Sequence, residues 1–203
     1  QQKAIYWSLN LDFLNRIDRR ELFLFIGYTF LGSTGSIIFR RIDSLMITLM
    51  KGLYETGIYG NMFNIAQVIE IPRQSISQIS LPVISKAFAE RRIEAIADVY
   101  RKSSINQQII GSLLLTGIWV NLPNLYRIMP KGDEFALGYW VVVLVGISKL
   151  VEMMAGNTSE LINMSPHYRF NMYSTLTMCV VAVSLNYLMI PAYGITGAAA
   201  ATL

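Results

Sequence analysis

The sequence predicts an all-α protein, a polytopic bundle of transmembrane helices with about five full spans and the start of a sixth. Three observations predict it. The 203-residue chain is 53% hydrophobic and only 15% charged, against roughly 25% charged residues in soluble domains. Its apolar residues gather into stretches of about 20, the length an α-helix needs to cross a hydrocarbon core about 30 Å thick. Its basic residues gather mainly between those stretches.

Residues 1–21 read as an amphipathic cytoplasmic lead-in ending on the polar run from Asp12 to Glu21. They lack the apolar core and small-residue cleavage site of a signal peptide. The transmembrane unit then covers 22–203. Its first span, 22–50, is nearly free of charge up to Phe39 and continues past Arg40, Arg41 and Asp43. Gly27, Gly32 and Gly35 weaken a helix and let others approach closely, so a break is expected near Gly32 to Gly35. The second span, 58–81, contains Pro72, which removes a backbone hydrogen bond and should kink the helix. Residues 83–102 have mixed charge, with Ile84, Phe88, Ala95 and Val99 on one face. They read as an amphipathic helix at the cytoplasmic interface; a solvated connector fits the same pattern. The third span, 103–122, has no charge, the fourth, 135–156, only Lys149 and Glu152, and the fifth, 170–190, none. A further apolar stretch starts at Ile195. A chain that opens on Gln and closes inside an apolar run is expected to be part of a larger bundle.

Loop charges orient the spans. With the lead-in cytoplasmic, the inner segments hold ten of the 17 basic residues, the outer ones hold Lys51, Arg127 and Lys131, and Arg40, Arg41, Arg73 and Lys149 fall within spans. Basic residues are retained on the cytoplasmic side during insertion. The net charge of +4 is therefore a topology signal. No basic patch with interleaved aromatics points to nucleic acid.

The second span has a polar side. At about 100° per residue, Asn64, Gln67, Glu70, Gln74, Ser77 and Gln78 fall on one side, and Ile58, Ile65, Ile69, Ile76 and Ile79 on the other. Lipid supplies no hydrogen bonds, so a row of amides and a carboxylate must face protein or water. A span with a wet side lines a pathway, which points to transport.

Charges at bilayer depth cost about 2.5–3.5 kcal/mol each on insertion scales and tend to face a cavity or one another. Here they come three residues apart: Arg40 with Asp43, Glu70 with Arg73, Lys149 with Glu152. That spacing lets each pair meet on one helix face. Internal pairing that only lowers insertion cost is one reading. Arg40 and Arg41 against a single Asp43 leave a surplus of guanidinium, whose fork suits phosphate oxygens. Snorkelling of Arg40 to the outer surface is a rival account.

Enzyme chemistry has no foothold. Cys179 is alone in mid-span and His167 alone in a short inner loop. No zincin, phosphate-loop or nucleophile-elbow motif occurs, so no metal and no cofactor are expected. Asn157 heads a formal glycosylation triplet on the cytoplasmic side of the assigned topology.

The order of motifs carries a resemblance: R-R-I-D-S-L-M-I-T from Arg40, G-L-Y-E-T-G-I-Y-G from Gly52, E-I-P-R-Q-S-I-S-Q-I-S-L-P from Glu70, L-Y-R-I-M-P-K-G-D-E-F-A-L-G from Leu125, and P-A-Y-G-I-T-G-A-A-A-A-T from Pro191. Over nearly all of 22–203 the chain resembles the polysaccharide, or lipid-linked oligosaccharide, flippases of the MATE-like superfamily of prokaryotes. The resemblance implies part of the C-terminal half of a transporter in the cytoplasmic membrane, with two similar bundles around a cavity. It implies a substrate of polyprenyl-diphosphate-linked oligosaccharide, and as partners membrane lipid and the N-terminal half of the bundle. On that reading Arg40, Arg41 and Arg73 attract the diphosphate, with Asp43 and Glu70 orienting them. Lys149 joins from the fourth span and Glu152 neutralises it. Asn61, Asn64, Gln67, Gln74 and Gln78 hydrogen-bond sugar hydroxyls. Two alternatives stay open. One is a cation-coupled multidrug exporter of the same superfamily, using Asp43 or Glu70 as its coupling carboxylate. The other is a membrane-embedded glycan polymerase or glycosyltransferase, for which the outer loop at Pro123 to Glu134 is short.

Overall fold

A computed structural model describes residues 19–90, 92–158, 161–162 and 168–203. Residues 1–18, most of the expected lead-in, lie outside the described residues. Helices account for nearly all the rest, and no strand occurs among the described residues. The protein is a helical membrane bundle.

Helix α1 (Arg19–Lys51) runs 33 residues without interruption, about 50 Å at 1.5 Å per residue. The break expected near Gly32 to Gly35 does not form. A helical glycine costs only about 1 kcal/mol relative to alanine, and α1 is held along much of its length by the last helix of the chain. One residue, Gly52 at φ 98°, reverses the chain into α2 (Leu53–Gln67). The polar span is divided. A 3-10 turn at Val68–Glu70 separates α2 from α3 (Ile71–Ala89). Pro72 sits in the first turn of α3; it lacks the N–H that would bond the Val68 carbonyl four residues back, so regular helix stops there.

Residues 83–102 do not form one separate helix. Their first part completes α3, capped at Glu90, and the remainder opens α4 (Ile93–Ile128), which continues through the third span for 36 residues. Neither glycine nor proline interrupts the sequence between Ile93 and Ile110, so the amphipathic pattern and the apolar span fuse. A short α5 (Gly132–Phe135) and a 3-10 turn lead into α6 (Tyr139–Met154). The last helix, α7 (Tyr168–Thr202), is two helices across a kink at Gly194, φ 59° and ψ −140°. Its second piece turns back into the bundle.

Helix α6 is the hub, packed on α2, α4 and α7. Its Val141, Val142 and Val145 join Ile47, Tyr59, Met62, Leu122, Ile190 and Ala198 in one core. Glycines allow the close approach. Gly146 faces Ile69 and Leu115, and Gly111 faces Met153 and Leu150. The outside is apolar, with Phe23, Leu49, Leu113, Val120 and Leu188 all exposed; such a surface belongs in lipid. Among the described residues, three helical stretches are long and apolar enough to cross a membrane: Ile93–Ile128, Gly132–Met154 and Tyr173–Thr202. The polar span reaches no such run because the 3-10 turn leaves α2 only 15 residues and α3 carries Arg73, two glutamines and four serines.

Candidate functional site

Among the described residues, three assemblies of polar side chains stand out inside this bundle. The first surrounds Asp43, a buried carboxylate of α1. Asn186 of α7 donates from Nδ2 to Oδ1 at 2.6 Å, and Tyr59 of α2 donates to Oδ2 at 3.1 Å. Thr202 approaches Oδ2 at 2.6 Å. The return of the chain at Gly194 is what brings Thr202 there. The threonine hydroxyl also lies 3.0 Å from the Ala198 carbonyl. It has one proton for two acceptors. Asn186 Oδ1 has no hydrogen-bond partner among the described residues. The nest is built of neutral oxygen and nitrogen groups around one buried acid.

Among the described residues, the second assembly is a ring of four charges. Arg73 lies 2.9 Å from Glu70 and 3.2 Å from Glu152. Lys149 lies 2.9 Å from both Glu70 and Glu152. Glu70 is buried, and Glu152, 38% exposed, is the open corner. Cations and anions alternate among these four. It ties the 3-10 turn between α2 and α3 to α6.

The third assembly is uncharged. Ser77 donates to Asn157 Oδ1 at 2.6 Å, and Gln107 Nε2 reaches the same oxygen at 3.3 Å. Ser80 and Ser103 are 3.1 Å apart. Asn157, head of the glycosylation triplet, is fully buried.

The amides of the polar span lie elsewhere. Asn61, Asn64, Gln74 and Gln78 are exposed on the face of α2 and α3 turned away from α6, and Gln67 is half-buried. Glu70 and Ser77, from the same arc of the wheel, point inward. The polar arc is wider than one environment, and its edge turns into the bundle. Of the apolar side, Ile69 is buried and Ile79 is 75% exposed. Arg41 is exposed and forms no ion pair among the described residues. The side chain of Arg40 lies outside those described, and with it the Arg40–Asp43 pair. Three predicted site residues are thus brought together with Arg73, namely Glu70, Lys149 and Glu152, while Asp43 is apart from them.

Sequence reasoning missed Tyr59, Asn186, Thr202, Gln107 and Asn157. Asn186 carried a signal, an amide within an uncharged span. Tyr59 and Thr202 carried none, since each fits an interfacial or capping role as well.

With this geometry in view, one similarity stands out. The chain is 22% identical over 186 residues to a probable low-salt glycan biosynthesis flippase, Agl15, of Haloferax volcanii. The match covers 90% of this chain and 39% of that protein, so the chain spans well under half of its relative. No family model matches, and no solved structure matches significantly. Among the described residues no cluster of His, Cys, Asp or Glu is suited to a metal ion.

Proposed function

We propose that this chain is part of a flippase that moves polyprenyl-diphosphate-linked oligosaccharide across a prokaryotic cytoplasmic membrane for polysaccharide synthesis. The observation that carries the reading is the amide face. Asn61, Asn64, Gln74 and Gln78 stand exposed on helices whose other outward residues are largely apolar. At bilayer depth such groups need protein or water as a partner, and a polar sugar chain supplies the matching hydroxyls. The similarity to a probable glycan biosynthesis flippase supports the same reading and favours a transporter over an enzyme. Arg41, exposed beside Arg40, is the available guanidinium for a diphosphate. Arg73 is already engaged by two carboxylates and contributes less. Lipid and further helices of a larger bundle are the partners of this reading, and no nucleic acid is.

Complementation of glycan export by the full-length protein tests it, with membrane abundance measured in parallel. Replacing Gln67 and Gln74 by Leu should lower export while abundance holds. Equal loss of both would assign the amides to folding and defeat the reading.

A second reading has its own observation. The Asp43 nest, a buried acid among neutral donors, favours coupling of transport to a proton or cation, as in a cation-coupled multidrug exporter. Drug resistance conferred by the full-length protein, without glycan export, would select that reading.

A further inference from the structure

The uncharged assembly between α3, α4 and the end of α6 has polar atoms to spare. Asn157 Oδ1 accepts from Ser77 at 2.6 Å and from Gln107 Nε2 at 3.3 Å, so both of its lone pairs are used. Among the described residues, Asn157 Nδ2 donates to nothing and Gln107 Oε1 accepts from nothing. Both residues are fully buried. Ser104 Oγ, three residues before Gln107 on α4, is likewise buried and without a partner among the described residues. It takes the space that a Cβ on Gly156, the neighbour of Asn157, would need. We propose that these groups hold one ordered water molecule, which bridges the Asn157 and Gln107 amides.

The two amides themselves select the occupant. Turning over one of them would set like atoms against each other across the 3.3 Å contact. Turning over both restores the bond with the roles exchanged, and leaves Gln107 Nε2 as the spare donor and Asn157 Oδ1 as the spare acceptor. In either arrangement the site presents one N–H and one carbonyl oxygen. The N–H disfavours a cation, and the oxygen disfavours an anion. What fits is a neutral molecule that both donates and accepts, and it must be small. In one direction along α4 the space against Gly111, one turn beyond Gln107, is filled by Met153 and Leu150. In the other, Ser103 is already bonded to Ser80 at 3.1 Å. Water accepts from the spare N–H, donates to the spare oxygen and has a second proton for Ser104, about three hydrogen bonds as in a typical buried water. Leaving a buried amide donor and acceptor unmade costs more than immobilising one water to serve both. The proposal rests on this packing and is independent of what the protein transports.

Electron cryo-microscopy of the full-length protein in nanodiscs, at a resolution that shows ordered water, tests it. The parent should show one peak within hydrogen-bond distance of both the Asn157 and Gln107 amides, the same in sodium as in potassium buffer. Asn157→Leu combined with Gln107→Leu removes both amides and should lose the peak. If that variant fails to fold, Gln107→Leu alone takes away one anchor of the bridge and should lose it too. A parent map in which the two amides bond each other reciprocally, or in which another side chain of the full-length protein fills the place, overturns the proposal. So does a peak that persists without the Gln107 amide, or one that appears only with sodium, which would make the place a cation site.

Discussion

Asn186 and Asp43, 143 positions apart in sequence, meet at 2.6 Å between amide nitrogen and carboxylate oxygen. That bond joins the first and last helices of the described bundle, which pack along one another. With Tyr59 and Thr202 on the other oxygen, the acid is a three-helix junction.

Removing the acid should unpair its donors. Asp43→Ala leaves the Tyr59 and Asn186 donors without their acceptor, at a cost of about 1–3 kcal/mol, read as a lowered melting temperature in detergent. Asp43→Asn keeps the shape and part of the bonding, so it should fold more nearly like the parent. If the nest couples transport, Asp43→Asn should make export by the full-length protein insensitive to the proton or sodium gradient. Gradient-dependent export in that variant would reduce Asp43 to a structural role.

The charge ring should respond unequally around its circumference. Lys149→Met leaves buried Glu70 still paired with Arg73 and should destabilise the bundle by about 1–3 kcal/mol. Glu152→Gln alters the open corner and should cost under about 1 kcal/mol. A charge exchange, Glu70→Lys with Lys149→Glu, should not recover the loss, because the new cation would face Arg73 and the new anion Glu152. Equal effects of the two single changes would show that the ring contributes no differential stability.

The spans were legible because apolar length and charge placement are local properties of the sequence. Local signals also placed the Glu70–Arg73 and Lys149–Glu152 pairs, each three residues apart. Their union into one ring was not legible, since it depends on α6 packing against the α2–α3 joint. The Asp43 nest was hidden for the same reason. Its partners lie 16, 143 and 159 positions away, and Thr202 arrives only because Gly194 turns the chain back. The fusion of 93–102 into α4 was missed because an amphipathic segment and an apolar span share one helical period. That period does not mark where one helix would stop.

A pH dependence is expected at the start of α2. The Tyr54 hydroxyl donates to Glu134 at 3.0 Å. That bond, then burial, then the carboxylate's charge raise its pKa above the ordinary value of 10.0. A folded-state pKa above the unfolded one means that the stabilisation is present below pH 10 and is lost as pH rises through the folded value. In NMR of ring-labelled tyrosine, the resonance missing from Tyr54→Phe should titrate above 10 in the parent. It should move toward 10 in Glu134→Gln. An unmoved titration in Glu134→Gln would remove Glu134 as the cause.

Glycine substitutions should separate backbone strain from open space. Gly194, at φ 59° and ψ −140°, occupies a region disfavoured for other residues, so Gly194→Ala should cost about 1–3 kcal/mol. Three residues on, a Cβ at Gly197 would run into the Met189 carbonyl oxygen, a backbone atom that cannot rotate away, so Gly197→Ala should destabilise at least as much. Gly60→Ala is the control: its Cβ meets nothing within 4 Å on a regular helix, and alanine there should stabilise by up to about 1 kcal/mol. Thermal unfolding in detergent orders the three. Both harmful changes act on the turn that delivers Thr202 to Asp43, so each should also weaken whatever Asp43→Asn weakens. A Gly194→Ala protein with parental melting and parental gradient response would break the link between the turn and the carboxylate nest.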